Sequence, residues 1–507
     1  MRKLFFGSII LLGLLTIFLM WYYELTRFTI GQAILFLLGV LVLIGIYDVI
    51  QKDHAILRNY PVVGHFRYLL ESISPEIQQY FIEDNTSGKP FDRNTRALAY
   101  RRAKNVNDTH PFGTQIDIYE SDYMGLRHSI YAKVPKDKDP RVIIGGKDCK
   151  KPYSASVYNI SAMSFGSLSG NAIAALNKGA KKGNFYHNTG EGAISSYHQN
   201  GGDLVWQIGT GYFGCRDENG NFDEVKFREK ATMDQVKMIE IKLSQGAKPG
   251  HGGVLPGVKN TPEIAAIRGV KPGETIISPP SHSAFGNEEE LLDFVAKLRE
   301  LSGGKPVGFK LCIGKTEEFN AICEAIVNKQ IYPDFITIDG AEGGTGAAPL
   351  EFSDSVGIPL EPALIFVRSS LRKYEIRDQI KIIASGKAIS AFSILKNIAL
   401  GADLCNAARG FMFSLGCIQA LRCNSNDCPA GVATQKRGLA KGLVVSQKSE
   451  RVYNYHKNTI HALVELLGAS GHEHTSELSA ADLVRGDEMI AMADKYLPDS
   501  VLKHLED

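Results

Sequence analysis

The chain has 507 residues, of which 44% are hydrophobic and 22% charged, and a formal net charge of +2. That length admits one large α/β barrel with additions, or two to three smaller domains. The near balance of charge excludes the clustered Lys and Arg of a nucleic-acid-binding surface, so no nucleic acid partner is expected.

In chain order, the first features are two uncharged runs, LFFGSIILLGLLTIFLMWYY at 4–23 and FTIGQAILFLLGVLVLIGIY at 28–47. As helices they rise roughly 30 Å each, the thickness of a bilayer's hydrocarbon core. Trp21, Tyr22, Tyr23 and Tyr47 stand at the run ends, where aromatic rings favour the interface. A cleaved signal peptide is the alternative for the first run, which is too long for a typical h-region. Residues 1–51 therefore predict a membrane anchor of two transmembrane helices. Arg2 and Lys3 before it, and Lys52, Arg58 and Arg67 after it, predict a multi-pass cell-membrane protein with its catalytic domain facing the cytoplasm. Thiols stay reduced in that compartment, which favours metal ligation over disulfides for clustered cysteines.

Residues 52–150 are polar and without repeat, and read as a juxtamembrane docking segment. From 151 to 440, short apolar runs end in glycine-rich turns and alternate with helical stretches. The strand candidates are 157–164, 184–190, 203–209, 239–246, 307–314, 335–344, 381–386 and 404–410. Eight such strands with helices between them predict an α/β fold of the (β/α)8 TIM-barrel type, an open doubly wound sheet being the alternative. TIISPPS at 275–281 fits as a loop excursion. Residues 441–507 are expected to form a helical tail.

A barrel gathers its chemistry where the strands end. GGTG at 343–346, SGK at 385–387 and ARG at 408–410 follow late strands, where glycines can bring backbone N–H groups to a phosphate. Tight-turn chemistry is the alternative for these glycines. GTGYFG at 209–214 spells G-x-G-x-x-G, but it lies inside the barrel pattern and lacks the acidic residue a dinucleotide fold requires. Lys242 and Lys310 lie within apolar strand runs, so each needs an anionic partner or must reach the rim. Lys248 and Arg268, in and beyond a Gly/Pro-rich loop, suit an acid substrate. Three of the eight cysteines, Cys417, Cys423 and Cys428, fall within twelve residues. C-x5-C-x4-C is not a zinc-finger spacing; it suits a [3Fe–4S] cluster, or a [4Fe–4S] cluster with one other ligand. Spacing alone leaves zinc or free thiols open.

SAMSFGSLS (161–169), NTGEG (188–192), EIKLSQGAKPG (240–250), ISPP (277–280), GGTGA (343–347) and C-x5-C-x4-C-P-x-G-V-A-T-Q (417–435) together resemble the FMN-binding synthase domain of glutamate synthases. Within that family the chain is most similar to stand-alone, membrane-anchored forms. The resemblance implies an FMN barrel served by a [3Fe–4S] cluster on Cys417, Cys423 and Cys428. It implies that Ala162, Met163 and Ser164 border the flavin ring and that Lys310 lies near its N1/O2 edge. Gly344, Thr345, Gly386, Lys387, Arg409 and Gly410 would hold the ribityl phosphate. Lys242, Lys248 and Arg268 match catalytic positions near the flavin and a 2-oxo acid. The implied reaction is reductive amination of 2-oxoglutarate to glutamate, with hydride from reduced FMN.

Three departures shape the expectation. Residue 2 is Arg where the family's glutaminase uses an N-terminal cysteine, so ammonia is expected from a partner, such as a separate amidotransferase subunit. The loop reads KPGHGGVLPG, with His251 and Val254 where the large enzymes have Glu and Gln. Loss of a polar anchor alters substrate discrimination, which keeps another amine or acceptor open, as in N-methylglutamate synthase. No NAD(P)H-binding domain is evident, so electrons are expected from ferredoxin or a reductase subunit. A non-catalytic electron-transfer protein is the remaining alternative.

Overall fold

The structure, a computed structural model, describes residues 30–488 together with Phe18, Trp21 and Tyr22. It divides into two compact units, Met1–Asp84 and Asn85–Asp507.

In the first unit, the run at 4–23 lies outside the described residues apart from those three aromatics. The second run forms the helix Ile30–Ile50. Near its end Asp48 is fully buried, accepts a hydrogen bond from the Val62 backbone N–H at 2.8 Å and sits 3.0 Å from His65 Nε2. Among the described residues no helix is long and apolar enough to cross a membrane. The transmembrane helix expected of the second run and the multi-pass cell-membrane placement with a cytoplasmic barrel are corrected on that ground, while the span expected at 4–23 lies outside the described residues. A run of apolar residues measures hydrophobicity, not where the helix ends or what its last turn folds against.

The second unit is built on a closed parallel barrel. Its strands are β1 (Tyr158–Ile160), β2 (His187–Asn188), β3 (Leu204–Ile208), β4 (Val236–Lys242), β5 (Val307–Leu311), β6 (Phe335–Asp339), β7 (Lys381–Ser385) and β8 (Leu404–Ala407). Each pairs with the next in the chain, and β8 pairs with β1 to close the ring. All eight coincide with expected runs, and closure excludes the open-sheet alternative. Helices such as Gly170–Gly183, Glu288–Leu301 and Leu360–Lys373 return the chain between strands. Ser169 and Asn287 cap the first two of these through side-chain oxygens that accept from backbone N–H groups.

Alternate strand residues point inward, and the interior is polar at its centre. Glu240 on β4 accepts from Asn188 on β2 (2.8 Å), Gln207 on β3 (2.6 Å) and Thr337 on β6 (2.7 Å). A buried carboxylate persists only when satisfied in this way, and this network fixes the strands' register. The β4–β5 connection carries the excursion expected near 275–281: Ile276–Ile277 pairs antiparallel with Val254–Leu255. GTGYFG leads out of β3; a Cβ on Gly209 would stand 2.5 Å from Glu191 Oε2, so this glycine serves close packing.

Residues just before and after the barrel pack onto it. Helix Arg93–Lys104, capped by Asp92, buries Ala99 and Ala103. Phe91 and Tyr100 meet Phe413 edge-on, with ring centroids 5.4 and 5.9 Å apart. Tyr100 donates to the Cys417 carbonyl at 2.6 Å. Helix Val445–Ala469 crosses the barrel's flank, where Tyr455 OH donates to the Ile389 carbonyl at 2.8 Å and lies 2.8 Å from Tyr158 OH.

Close strand packing is tightest at Gly308 on β5, where a Cβ would stand 2.1 Å from the Phe335 carbonyl oxygen. Gly308→Ala is expected to destabilise the barrel by about 1–3 kcal/mol, read as a lower midpoint in urea unfolding. An unchanged midpoint would show that β5 and β6 are not packed this closely.

Candidate active site

The strand ends converge on a cavity of about 830 Å³. Ala162 follows β1, Lys310 lies on β5, and Gly344 and Thr345 follow β6; all four line it. Gly386 and Lys387 after β7, and Arg409 and Gly410 after β8, form another part of its wall. Cys417, Cys423 and Cys428 line the same cavity. A smaller pocket of about 140 Å³ shares Ala162, Gly344, Thr345, Arg409 and Cys423 with it and adds Met163, Ser164, Glu191, Lys248, Val254 and Lys259. Lys242 and Arg268 line neither space.

The glycine turns are shaped by what lies behind them. A Cβ on Gly410 would stand 2.4 Å from Tyr455 OH, and one on Gly344 3.3 Å from Arg409 Nη2. Gly386 and Lys387 both have positive φ, and the left-handed backbone of Lys387 (φ 42°) is unusual for a side chain of its size. Arg409 Nη1 points at sulfur, 3.5 Å from Met412 Sδ and 3.9 Å from Cys423 Sγ. The large cavity has the size of sites that enclose a nucleotide-sized ligand.

Both strand lysines find anionic partners. Lys242 Nζ lies 2.7 Å from Glu191 Oε1, and Lys310 Nζ lies 3.8 Å from Asp339 Oδ2. Asp339 also accepts from Ser385 Oγ at 2.7 Å and from the Gly246 N–H at 2.9 Å. Burial pushes the Glu191 carboxyl up, but Lys242, then Arg268 and Lys248, more than offset it and hold it below the usual carboxylate range. The buried Arg268 donates to the Phe165 carbonyl at 3.1 Å, stacks 5.2 Å from the Phe213 ring centroid, and leaves its Nε without a hydrogen-bond partner. Burial brings its guanidinium down to about 10, against the pull of Glu191.

Lys248, nearly inaccessible, donates to the Ala347 carbonyl at 3.1 Å. Burial, with Lys242 adding to it and Glu191 opposing, brings its ammonium down to about 8. Val254 presents an aliphatic face to the smaller pocket, whereas His251 is turned away, stacked edge-on at 5.2 Å from Phe352.

The eight cysteines are all unpaired. Burial pushes the Cys417 thiol up to about 11, partly countered by its hydrogen bond with the Gln419 backbone and by Arg409. Among the described residues, no three His, Cys, Asp or Glu side chains are grouped to hold a metal ion. A single ion draws its thiolates to about 2.3 Å from one centre.

Two residues here are not singled out by the sequence patterns. Glu191 stands inside the NTGEG motif, and its signal was an acid at the glycine-rich end of β2, facing strand-borne lysines. Lys259, 3% exposed, donates to the carbonyls of Ser167 and Cys423. It follows KPGHGGVLPG closely, but nothing in that loop's spacing says which strand end it reaches.

A parallel (β/α)8 barrel whose late strand ends form a glycine-lined cavity, beside a buried carboxylate–lysine pair, is the frame of the site. Residues 115–473 match the family described as "Conserved region in glutamate synthase". The chain is 42% identical over 469 residues to the glutamate synthase large subunit-like protein YerD of Bacillus subtilis (strain 168), with 84% of this chain and 89% of that protein covered. It is 37% identical over 330 residues to the archaeal glutamate synthase (NADPH) of Methanocaldococcus jannaschii, covering 64% of this chain and 61% of that one. A ferredoxin-dependent glutamate synthase of Cyanidium caldarium is 33% identical over 274 residues, which are 54% of this chain and 16% of that protein. The chain belongs to the glutamate synthase family, a family of oxidoreductases.

Because Lys248 must be protonated to attract an anion, anion affinity in the smaller pocket is expected to be full only well below pH 8 and to weaken as pH rises through about 8. Calorimetry across pH 6.5–9.5 checks this, and an affinity flat through pH 9.5 would contradict it.

Proposed function

We propose that the chain is an FMN- and iron–sulfur-dependent enzyme that reductively aminates a 2-oxo acid, with 2-oxoglutarate as the first candidate and glutamate as product. The observation that carries this reading is the convergence of the glycine turns, Lys310 and the three cysteines on one cavity, adjoined by a pocket holding Lys248 and Glu191. The 830 Å³ volume, Gly410 with no room for a side chain, the left-handed turn at Gly386–Lys387 and the cation at Arg409 fit FMN with its phosphate at Gly344–Thr345, Gly386–Lys387 and Arg409–Gly410. Cys417, Cys423 and Cys428 would hold the [3Fe–4S] cluster. In balance, a 2-oxo acid, ammonia, two electrons and two protons give an amino acid and water.

When bound, FMN supplies the hydride that reduces the carbon of the imine formed from oxo acid and ammonia. The chain's own groups do the rest. Ala162, Met163 and Ser164 would border the ring system where the two spaces meet, and Lys310 would offer it a positive charge. Lys248 attracts a substrate carboxylate. Glu191, kept ionised by Lys242 and Arg268, offers the pocket a carboxylate that attracts and orients the amine. Lys242 and Arg268 therefore act through Glu191 rather than from the pocket wall.

Electrons enter from an external donor, ferredoxin or a reductase subunit, and ammonia from solution or an amidotransferase subunit. Val254 favours a second reading, in which a bulkier amine or a different acceptor replaces ammonia or 2-oxoglutarate, because it gives the pocket an apolar wall.

Anaerobically reduced protein mixed with a panel of 2-oxo acids and amines is expected to reoxidise its flavin fastest with 2-oxoglutarate and ammonia. Faster reoxidation by another pair would favour the second reading, and none with any pair would reject enzymatic amination. Cys423→Ser is expected to abolish the cluster's paramagnetic signal without unfolding the protein; an intact signal removes Cys423 from the ligand set. Lys248→Ala is expected to weaken oxo-acid binding by about 1.5–3 kcal/mol and leave FMN affinity little changed. Equal loss of both would reject its role.

A further inference from the structure

Lys259 ends the short turn Gly257–Lys259 in the β4–β5 connection and is 3% exposed. Its ammonium donates to the Ser167 carbonyl at 2.7 Å and to the Cys423 carbonyl at 3.0 Å. Both acceptors are neutral, and among the described residues Lys259 forms no ion pair. The ionisable groups that act on it are Cys423, Cys428 and a second cation, Arg268. A buried ammonium without a counter-charge is costly, and two carbonyl dipoles compensate it only in part. Neutral thiols would leave that deficit in place, whereas iron-bound thiolates would remove it.

We propose that Lys259 is a positioning residue for the centre held by Cys417, Cys423 and Cys428: its charge compensates the thiolate-bound irons and favours their reduced state. The inference rests on the cluster assigned under the proposed function and adds to it a specific electrostatic partner. Reduction of the cluster takes up one electron from the external donor and makes or breaks no bond to the protein. The added negative charge is stabilised by the fixed ammonium, which raises the reduction potential. The same side chain also ties the cysteine loop to the turn after β1: Ser164, Ser167 and Lys259 all border the smaller pocket, and Ser164 Oγ donates to Ser167 Oγ at 3.0 Å. Electron entry and substrate binding therefore share one strut.

The test is an anaerobic redox titration of the full chain at fixed pH, following the cluster by paramagnetic resonance and the flavin by its visible absorbance. Lys259→Met keeps the length and removes the charge. It is expected to disfavour cluster reduction about tenfold, ~59 mV for one electron, while the flavin potential moves much less. Lys259→Arg is expected to restore the wild-type cluster potential. A folded Met variant that fails to assemble the cluster, beside an Arg variant that succeeds, would support the same charge requirement. Unchanged cluster potential in Lys259→Met overturns the inference, as does equal loss of the cluster in both variants. Wild-type protein lacking iron sinks the cluster assignment itself, a failure distinct from either.

Discussion

Closure of eight parallel strands in chain order is the constraint from which the site follows. A parallel strand must be followed by a crossover, so every strand ends at the same mouth and every loop that leaves it begins there. Residues as distant as Ala162 and Cys428 thus come to line one cavity without any long-range design beyond the barrel itself. The interior network around Glu240 ties β2, β3, β4 and β6 in register. A slip of one residue would turn Lys242 and Lys310 out of the barrel.

Around that mouth the charges are arranged by burial rather than by number. Lys242, Lys248, Lys259, Arg268 and Lys310 are all buried, yet among the described residues only Lys242 and Lys310 have a carboxylate within ion-pair distance. The surplus of positive charge is stored against carbonyls and an aromatic face, ready for anionic ligands. Buried cations without carboxylate partners are costly, and that cost is what an anionic ligand at this mouth would offset.

All eight strands were legible because each apolar run ends in a glycine-rich turn, a pattern that survives without knowledge of partners. The grouping of glycines and cysteines at one end followed from that topology. The apolar N-terminus was not legible in the same way: length and hydrophobicity carried the reading, while the contact of buried Asp48 with the exposed His65, near the helix's end, is set by tertiary folding. Helix Arg93–Lys104 hid inside a polar segment because its buried residues include Arg96 and Arg102, the latter bound to Asp108 at 3.0 Å. Glu191 and Lys259 escaped notice because their importance lies in which loop they meet, and spacing along the chain does not encode that.

The central claim is that one cavity holds both a flavin and an iron–sulfur centre within electron-transfer reach. Its most direct measurement is the FMN, iron and sulfide content of the full chain purified without oxygen, alongside its visible spectrum. The account predicts coloured protein with near-stoichiometric FMN and about three irons per chain. Colourless protein that contains neither, and takes up neither on reconstitution, would contradict it.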